Sequence, residues 1–396
     1  MMLDKMNEID PDIDVLLVSG DYVSHGYSVD YGSAQDQYIV LKQTIEHVFL
    51  NILAKKFPKA IILPTIGNND IKYHYVAPQR NVSAPDYYPF LKSLIFQRIP
   101  SNMKFYSANV SDTFDVFGGY RVDYSPTLSF LSFNSLYYNV KLPSNDTEIK
   151  RRQMDWLADQ LDHAEPGRKF VIFFHIYPGM FFIGRITFFW EKSAVIWFNE
   201  IVQRNIDKIA LMTGAHTHFP DLKLGFPTEF SLPHLMNMNE TALEYIPSYV
   251  LLITPSISPI FRNNPGFTFL TMEDQVAKNI TWYYFELNRL PRDESEVVFN
   301  KIDFNTYMNI TEFTPGSVLN FIKELMHDKV RLYRYLAHKI GYRGAHMITA
   351  ISRYQEMNMV NLASEYEYFC SLLNMMRADY YFCVESSKQK LDLVPV

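Results

Sequence analysis

Five side chains with lone pairs suited to metals recur at the ends of apolar runs. Asp21 follows Val15-Leu-Leu-Val18 and Ser19-Gly20, and Asn68 follows Ala60-Ile-Ile-Leu-Pro-Thr-Ile66 and Gly67. His175 follows Lys169-Phe-Val-Ile-Phe-Phe174, and Gly214-Ala-His-Thr-His218 supplies His216 and His218. Neutral imidazoles with a carboxylate and an amide oxygen suit a borderline divalent ion such as zinc or manganese, and no cysteine lies near to make a thiolate site. Two such ions, about 3.5–4 Å apart and sharing one carboxylate, could clamp a phosphate oxygen and supply hydroxide at neutral pH, which is the chemistry of phosphoester hydrolysis. His-X-His alone is a weak signal, because alternating histidines in a strand can simply be exposed. The ordered series Gly-Asp, Gly-Asn, His, His-X-His carries the reading.

The elements that must position these residues are strands. Residues 15–18 read as a strand buried on both faces, 36–56 as a helix with apolar residues near a 3.6 repeat, and 60–66 as a second buried strand, which together make a βαβ unit. Further strands are expected at 130–133, 169–174 and 208–213, with helices at 151–163 and 201–206. The ligand set then lies along the carboxyl edge of a sheet, where open α/β sheets bind their ligands. Strands follow at 249–253, 268–272 and 280–286. Residues 318–336 and 345–381 have helical spacing, and the charged, Pro-containing stretch 290–297 is the expected boundary region. The division expected is 1–313 and a helical part at 314–396.

With 396 residues, 48% of them hydrophobic, the chain can bury a large core, and its net charge of −6 gives no footprint for nucleic acid. The apolar stretch 170–190 contains His175, Pro178, Gly179, Gly184 and Arg185, and so reads as a strand running into a loop instead of a membrane span. Residues 1–14 are polar and acidic, without the apolar segment of a signal peptide. Asn-X-Ser/Thr sequons at Asn81, Asn109, Asn145, Asn239, Asn279 and Asn309 point instead to a lumenal protein. Cys370 and Cys383 read as free thiols in a cytosolic protein and as one disulfide in a secreted one.

At these motifs the chain resembles the calcineurin-like metallophosphoesterases, and within them the acid sphingomyelinase-like phosphodiesterase branch. Gln153-Met-Asp-Trp-Leu157, Phe133-Asn-Ser-Leu-Tyr-Tyr138, His175-Ile-Tyr-Pro-Gly179, Asn264-Pro-Gly266 and the cysteine pair extend the resemblance over nearly the whole chain. It implies an α/β/β/α sandwich of two mixed sheets with a helical C-terminal subdomain, and hydrolysis of a phosphodiester by a metal-bound hydroxide. Asp21 resembles the carboxylate that bridges two divalent ions, with zinc expected. Asn68, His175 and His216 resemble the ligands of one ion, His218 a ligand of the other, and His25 the histidine that contacts phosphate. The cysteines match a family disulfide, in keeping with a secreted protein or one in a lysosome or vacuole lumen.

Two departures qualify the resemblance. Nothing before Asp21 matches the family's first strand with Asp-X-His, so the expectation is an N-terminally truncated chain that has also lost its signal peptide and holds at most one ion tightly. At Asn69 the sphingomyelinase pattern has a histidine able to donate a proton to the leaving group, which a neutral amide cannot do. Gly67-Asn-Asn-Asp70 followed by His74 instead resembles endopolyphosphatases, which cleave phosphoanhydrides; His74 is either the replacement acid or a solvated loop histidine. A catalytically silent phosphate-ligand-binding protein is the alternative of another class. The aromatics Phe181, Phe182, Phe188, Phe189 and Trp190 either pack internally or form a wall for a choline headgroup or a lipid surface, the basis for an expected peripheral membrane contact.

Overall fold

The computed structural model describes residues 1–26, 33–78, 85–99, 110–183, 185–226, 231–239, 248–261, 263–287, 297–339 and 365–391. The sequons at Asn81 and Asn109, the boundary at 290–296 and the helical stretch over 345–364 lie outside these residues. Two units divide the chain, Met1–Tyr177 and Pro178–Val396.

In the first unit β1 (Val15–Val18) and β2 (Ile61–Pro64) pair in parallel, Val15 opposite Ile61 and Val18 opposite Pro64. The crossover is a helix over Ala34–Glu46 that runs on through a π-helical segment, His47–Leu53, to Ala54–Lys56. It starts before the expected position because Ser33 caps it: Ser33 Oγ accepts from the Asp36 N–H, and the Asp36 carboxylate accepts from the Ser33 N–H. Leu41, Ile45, Phe49 and Leu53 are buried at intervals of four. An α-helix drifts ~40° with each such step, and the wider π turn absorbs the drift.

β2 is buried throughout, but all four residues of β1 are half-buried, contrary to the expectation of burial on both faces. Among the described residues β1 has a strand neighbour on one side only. Next come β3 (Tyr120–Asp123), β4 (Leu128–Ser132) and β5 (Lys169–Phe173), with β3 and β4 antiparallel and β4 and β5 parallel. The helix Thr147–Asp162 links β4 to β5; Asp146 caps it by accepting from the Ile149 N–H at 3.0 Å, and it buries Met154, Leu157 and Leu161.

The second unit opens with a hairpin of β6 (Met180–Ile183) and β7 (Arg185–Phe188). Phe182, Phe189 and Trp190 are buried, and Phe181 and Phe188 pack partly buried against the unit's core. Trp190 meets Phe198 at 5.3 Å, and Phe181 stacks on Phe219. An aromatic wall at this hairpin is therefore not what the chain builds. β8 (Ile209–Gly214), β9 (Asp221–Gly225) and β10 (Tyr249–Ile253) form a mixed arrangement, β10 parallel to β8 and antiparallel to β9. An antiparallel meander of β11 (Gly266–Glu273), β12 (Val276–Phe285) and β13 (Phe299–Asp303) follows.

The expected helix over 318–336 is two helices, Pro315–His327 and Lys329–Lys339. Asp328 ends the first in extended backbone, and its carboxylate accepts from the Arg331 N–H of the second. Leu222, Leu224, Val250 and Leu252 from the strands share one core with Trp282, Val318, Ile322, Tyr335 and Phe369. A disulfide joins Cys370 to Cys383 across the helices Glu365–Leu373 and Arg377–Leu391. The fold is mixed α/β in both units. Among the described residues no helix is long and apolar enough to cross a membrane.

Candidate metal centre

Two glycines let the first unit's ligand loops meet. A Cβ on Gly20, which sits at φ +88°, would fall 2.6 Å from the Gly67 nitrogen, and one on Gly67 would fall 2.2 Å from the Asp21 nitrogen. Side chains at either position would push apart the turns after β1 and β2. Asp21 itself adopts φ +58°, a left-handed conformation that a non-glycine residue keeps only where its surroundings enforce it.

Asp70 provides that enforcement. Its buried carboxylate accepts from the N–H of Asp21 at 2.6 Å, Gly67 at 2.8 Å, Tyr22 at 2.6 Å and Val23 at 3.3 Å. Burial, with the Asp21 charge beside it, raises the Asp70 pKa above the usual carboxylate range. Asn69 then holds the Asp21 carboxylate, its backbone N–H donating to Oδ1 and its side-chain amide to Oδ2, both at 2.9 Å.

His175 follows β5 and is buried. Its Nδ1 lies 2.6 Å from the Ser19 carbonyl oxygen, which accepts only if Nδ1 carries a proton. In the neutral ring that leaves Nε2 as the lone-pair nitrogen, 3.0 Å from Asn68 Oδ1 and 3.3 Å from Asp21 Oδ2. The Asn68 amide is oriented from its other end, where Nδ2 donates to His74 Nε2 at 2.9 Å. Three acceptors thus face one another at the distances of hydrogen bonds. A proton shared with the carboxylate or a cation among all three relieves their repulsion, and a nitrogen with two oxygens is a fitting donor set for a divalent ion.

His74 sits at the exposed rim with its ring 4.5 Å from that of Tyr75. Its pKa is held down by desolvation and by the Lys141 charge, against the opposing pull of Asp21. His25 is half-buried, its ring 6.5 Å from that of His74, near the Asn69 amide. The first unit thus brings together Asp21, His25, Asn68, Asn69, His74 and His175.

In the second unit His216 and His218 follow β8 at φ +71° and +66°. His216 packs against Phe189 at 5.3 Å, and the buried His218 against Phe261 at 4.7 Å. Asp21, His25 and His175 in the first unit and His216 and His218 in the second are candidate metal-binding residues. Sequence reasoning missed the clamp made by Asp70, and the signal for it was in plain view: an acid two residues after Asn68, inside a run of turn residues.

A family model described as calcineurin-like phosphoesterase matches residues 2–220. A Dictyostelium discoideum protein named sphingomyelinase phosphodiesterase D is 26% identical over 286 residues, 71% of this chain and 57% of that protein. The chain therefore spans little more than half the length of that relative. Solved structures similar to it include PhoD, with a TM-score of 0.46 and 10% identity over 76% of this chain and 65% of that one. A dimetal phosphatase from Danio rerio aligns with a TM-score of 0.39 and 10% identity, over 71% of this chain and 82% of the other.

Proposed function

We propose that this chain, which belongs to the calcineurin-like phosphoesterase family, is a metal-dependent phosphodiester hydrolase of the acid sphingomyelinase-like type. The observation that carries the reading is the meeting of His175 Nε2, Asn68 Oδ1 and Asp21 Oδ2 at 3.0 and 3.3 Å. The name of the Dictyostelium discoideum relative supports the substrate type.

Asp21, Asn68 and His175 are the proposed first ligands, and His216 and His218 the proposed remainder of a two-ion set, with zinc the metal that the donor chemistry favours. Bound divalent ions supply Lewis-acid polarisation of a phosphoryl oxygen and activation of water. The chain's own part is positioning. Asp70 and Asn69 fix the Asp21 carboxylate, Ser19 fixes the His175 tautomer, and His74 turns the Asn68 oxygen inward. His25 is the proposed contact to the substrate phosphate. The disulfide and the sequons support a secreted or lumenal location. Residues 314–396 are proposed as a helical C-terminal subdomain.

The test is hydrolysis of bis(p-nitrophenyl) phosphate by the full chain. A chelator is expected to abolish turnover, zinc or manganese to restore it, and His175→Ala to reduce it by roughly 100-fold or more. Turnover that survives both chelation and His175→Ala contradicts the reading.

A further inference from the structure

His218, a proposed metal ligand in the second unit, lies in a turn that is held from outside. His216 and His218 both take left-handed backbone, at φ +71° and +66°. Within the turn, the Thr217 N–H donates to the Ala215 carbonyl oxygen at 2.8 Å and the Thr217 hydroxyl to the Phe219 carbonyl oxygen at 3.2 Å. A non-glycine residue keeps such a conformation only where the surrounding structure over-determines it.

The segment after β10 makes the outside bonds. β10 runs parallel to β8 with Ile253 opposite Gly214, so the chain leaving β10 passes alongside the turn. Thr254 fastens the start of the turn, donating from its N–H at 2.9 Å and from its hydroxyl at 3.2 Å to the Gly214 carbonyl oxygen. Ser256 fastens the other end, its N–H donating to the His218 carbonyl oxygen at 3.3 Å. The ring of Phe261 then meets the His218 imidazole edge to face, with centroids 4.7 Å apart and planes at 72°. The χ2 torsion of a histidine is otherwise broad, and an edge-to-face contact selects one orientation of the ring.

This segment is itself a built loop. The Gly266 N–H donates to the Ser256 carbonyl oxygen at 3.0 Å, and the Ser258 N–H to Ser256 Oγ at 3.0 Å. The buried Asn263 donates through Nδ2 to the Ser258 carbonyl oxygen at 2.8 Å. A Cβ on Gly266 would fall 2.8 Å from the Tyr283 carbonyl oxygen and 3.3 Å from Pro255, so the loop closes only with glycine there. Phe261 nevertheless remains 48% exposed. A ring so exposed contributes little burial, and its packing on His218 is not a by-product of a core.

We infer that Phe261 is a positioning residue, whose ring, on the loop anchored by Thr254 and Ser256, holds the His218 imidazole in the orientation that ligates a metal ion. The inference rests on His218 being a ligand, as in the hydrolase reading, and adds the device that orients it. Ordering the imidazole before the ion arrives lowers the entropy cost of binding. The first unit does the same by hydrogen bonds, from Ser19 to His175 and from Asp70 to Asp21.

Cobalt titration of the metal-free full chain, read by the visible absorption of the bound ion, tests the inference. His218→Ala identifies the binding step that depends on His218. Phe261→Ala is expected to weaken that step about tenfold, the effect of losing a group that orients a metal ligand, with the melting temperature of the metal-free chain unchanged. Phe261→Tyr, which keeps the ring, is expected to restore the affinity, and Phe261→Leu, which keeps only apolar bulk, is not. Cobalt affinity unaffected by Phe261→Ala, or restored equally by Phe261→Leu and Phe261→Tyr, overturns the inference, as does a titration in which His218→Ala alters no step. The hydrolase reading is decided separately, by metal-dependent turnover of bis(p-nitrophenyl) phosphate.

Discussion

The carboxylate of Asp70 accepts the backbone N–H of Asp21 at 2.6 Å across 49 residues of sequence, and the same carboxylate accepts the Gly67 N–H at 2.8 Å. One buried acid therefore ties the turn after β1 to the turn after β2 and keeps Asp21 in its left-handed conformation. Asp70→Asn preserves the shape but leaves one oxygen to serve donors that two oxygens served. The expected result is a loss of about 1–3 kcal/mol in stability of the metal-free chain. Zinc affinity should fall about 10–100-fold, as for other groups that orient a ligand. Thermal melts and zinc titrations of the same preparations check both, and unchanged zinc affinity would remove Asp70 from the positioning role.

His74 Nε2 accepts the Asn68 amide proton at 2.9 Å, an arrangement that suits orienting a ligand better than donating a proton. His74→Ala is accordingly expected to slow p-nitrophenyl and alkyl phosphodiesters by the same factor, about tenfold. A general acid would matter most for the alkyl esters, whose leaving groups need protonation. A loss confined to the alkyl esters would therefore assign His74 to proton donation.

The strands and their ends were readable because β-branched and aliphatic runs stop sharply at Gly20, Gly67 and Gly214. The βαβ order of β1, β2 and their connecting helix, and the strands β8 and β10, emerged within two residues of expectation. Helix starts shifted because the caps, Ser33 and Asp146, lie outside the apolar period that reveals a helix. Burial of β1 was misread because composition does not say how many neighbours a strand has. The aromatics at 181–190 were ambiguous for a related reason: a ring's hydrophobicity is the same in a core as on a wall, and only the hairpin's packing on Phe198 and Phe219 decides. The Asp70 clamp is made of side-chain bonds to backbone groups distant in sequence, which no local spacing encodes.

Secretory expression in a eukaryotic host is expected to glycosylate Asn145 and Asn309 but not Asn279. Asn145 is exposed before a helix, and Asn309 is exposed at the left-handed end of the helix Phe304–Met308. Asn279 lies half-buried within β12, with its Oδ1 accepting from the hydroxyl of Thr281, the third residue of its own sequon. Peptide mass spectrometry with and without glycosidase reads the occupancy, and a glycan on Asn279 would contradict this placement.

The Cys370–Cys383 bridge closes a short loop between two helices, both sulfurs being buried. Replacing both cysteines with serine is expected to cost about 3 kcal/mol from loop-closure entropy. A reducing agent should lower the melting temperature of the natural chain but not that of the double variant. Identical melts with and without reductant would show that the bridge does not form in solution.

The central claim is a divalent ion among His175 Nε2, Asn68 Oδ1 and Asp21 Oδ2. X-ray diffraction from crystals of the full chain grown with zinc, collected on both sides of the zinc absorption edge, tests it most directly. The account predicts an anomalous peak within ~2.0–2.2 Å of those three atoms, with the Asn68 amide nitrogen still facing His74. Zinc density elsewhere in the crystal, with His175 Nε2 still bonded to Asp21 and no peak between them, would contradict it.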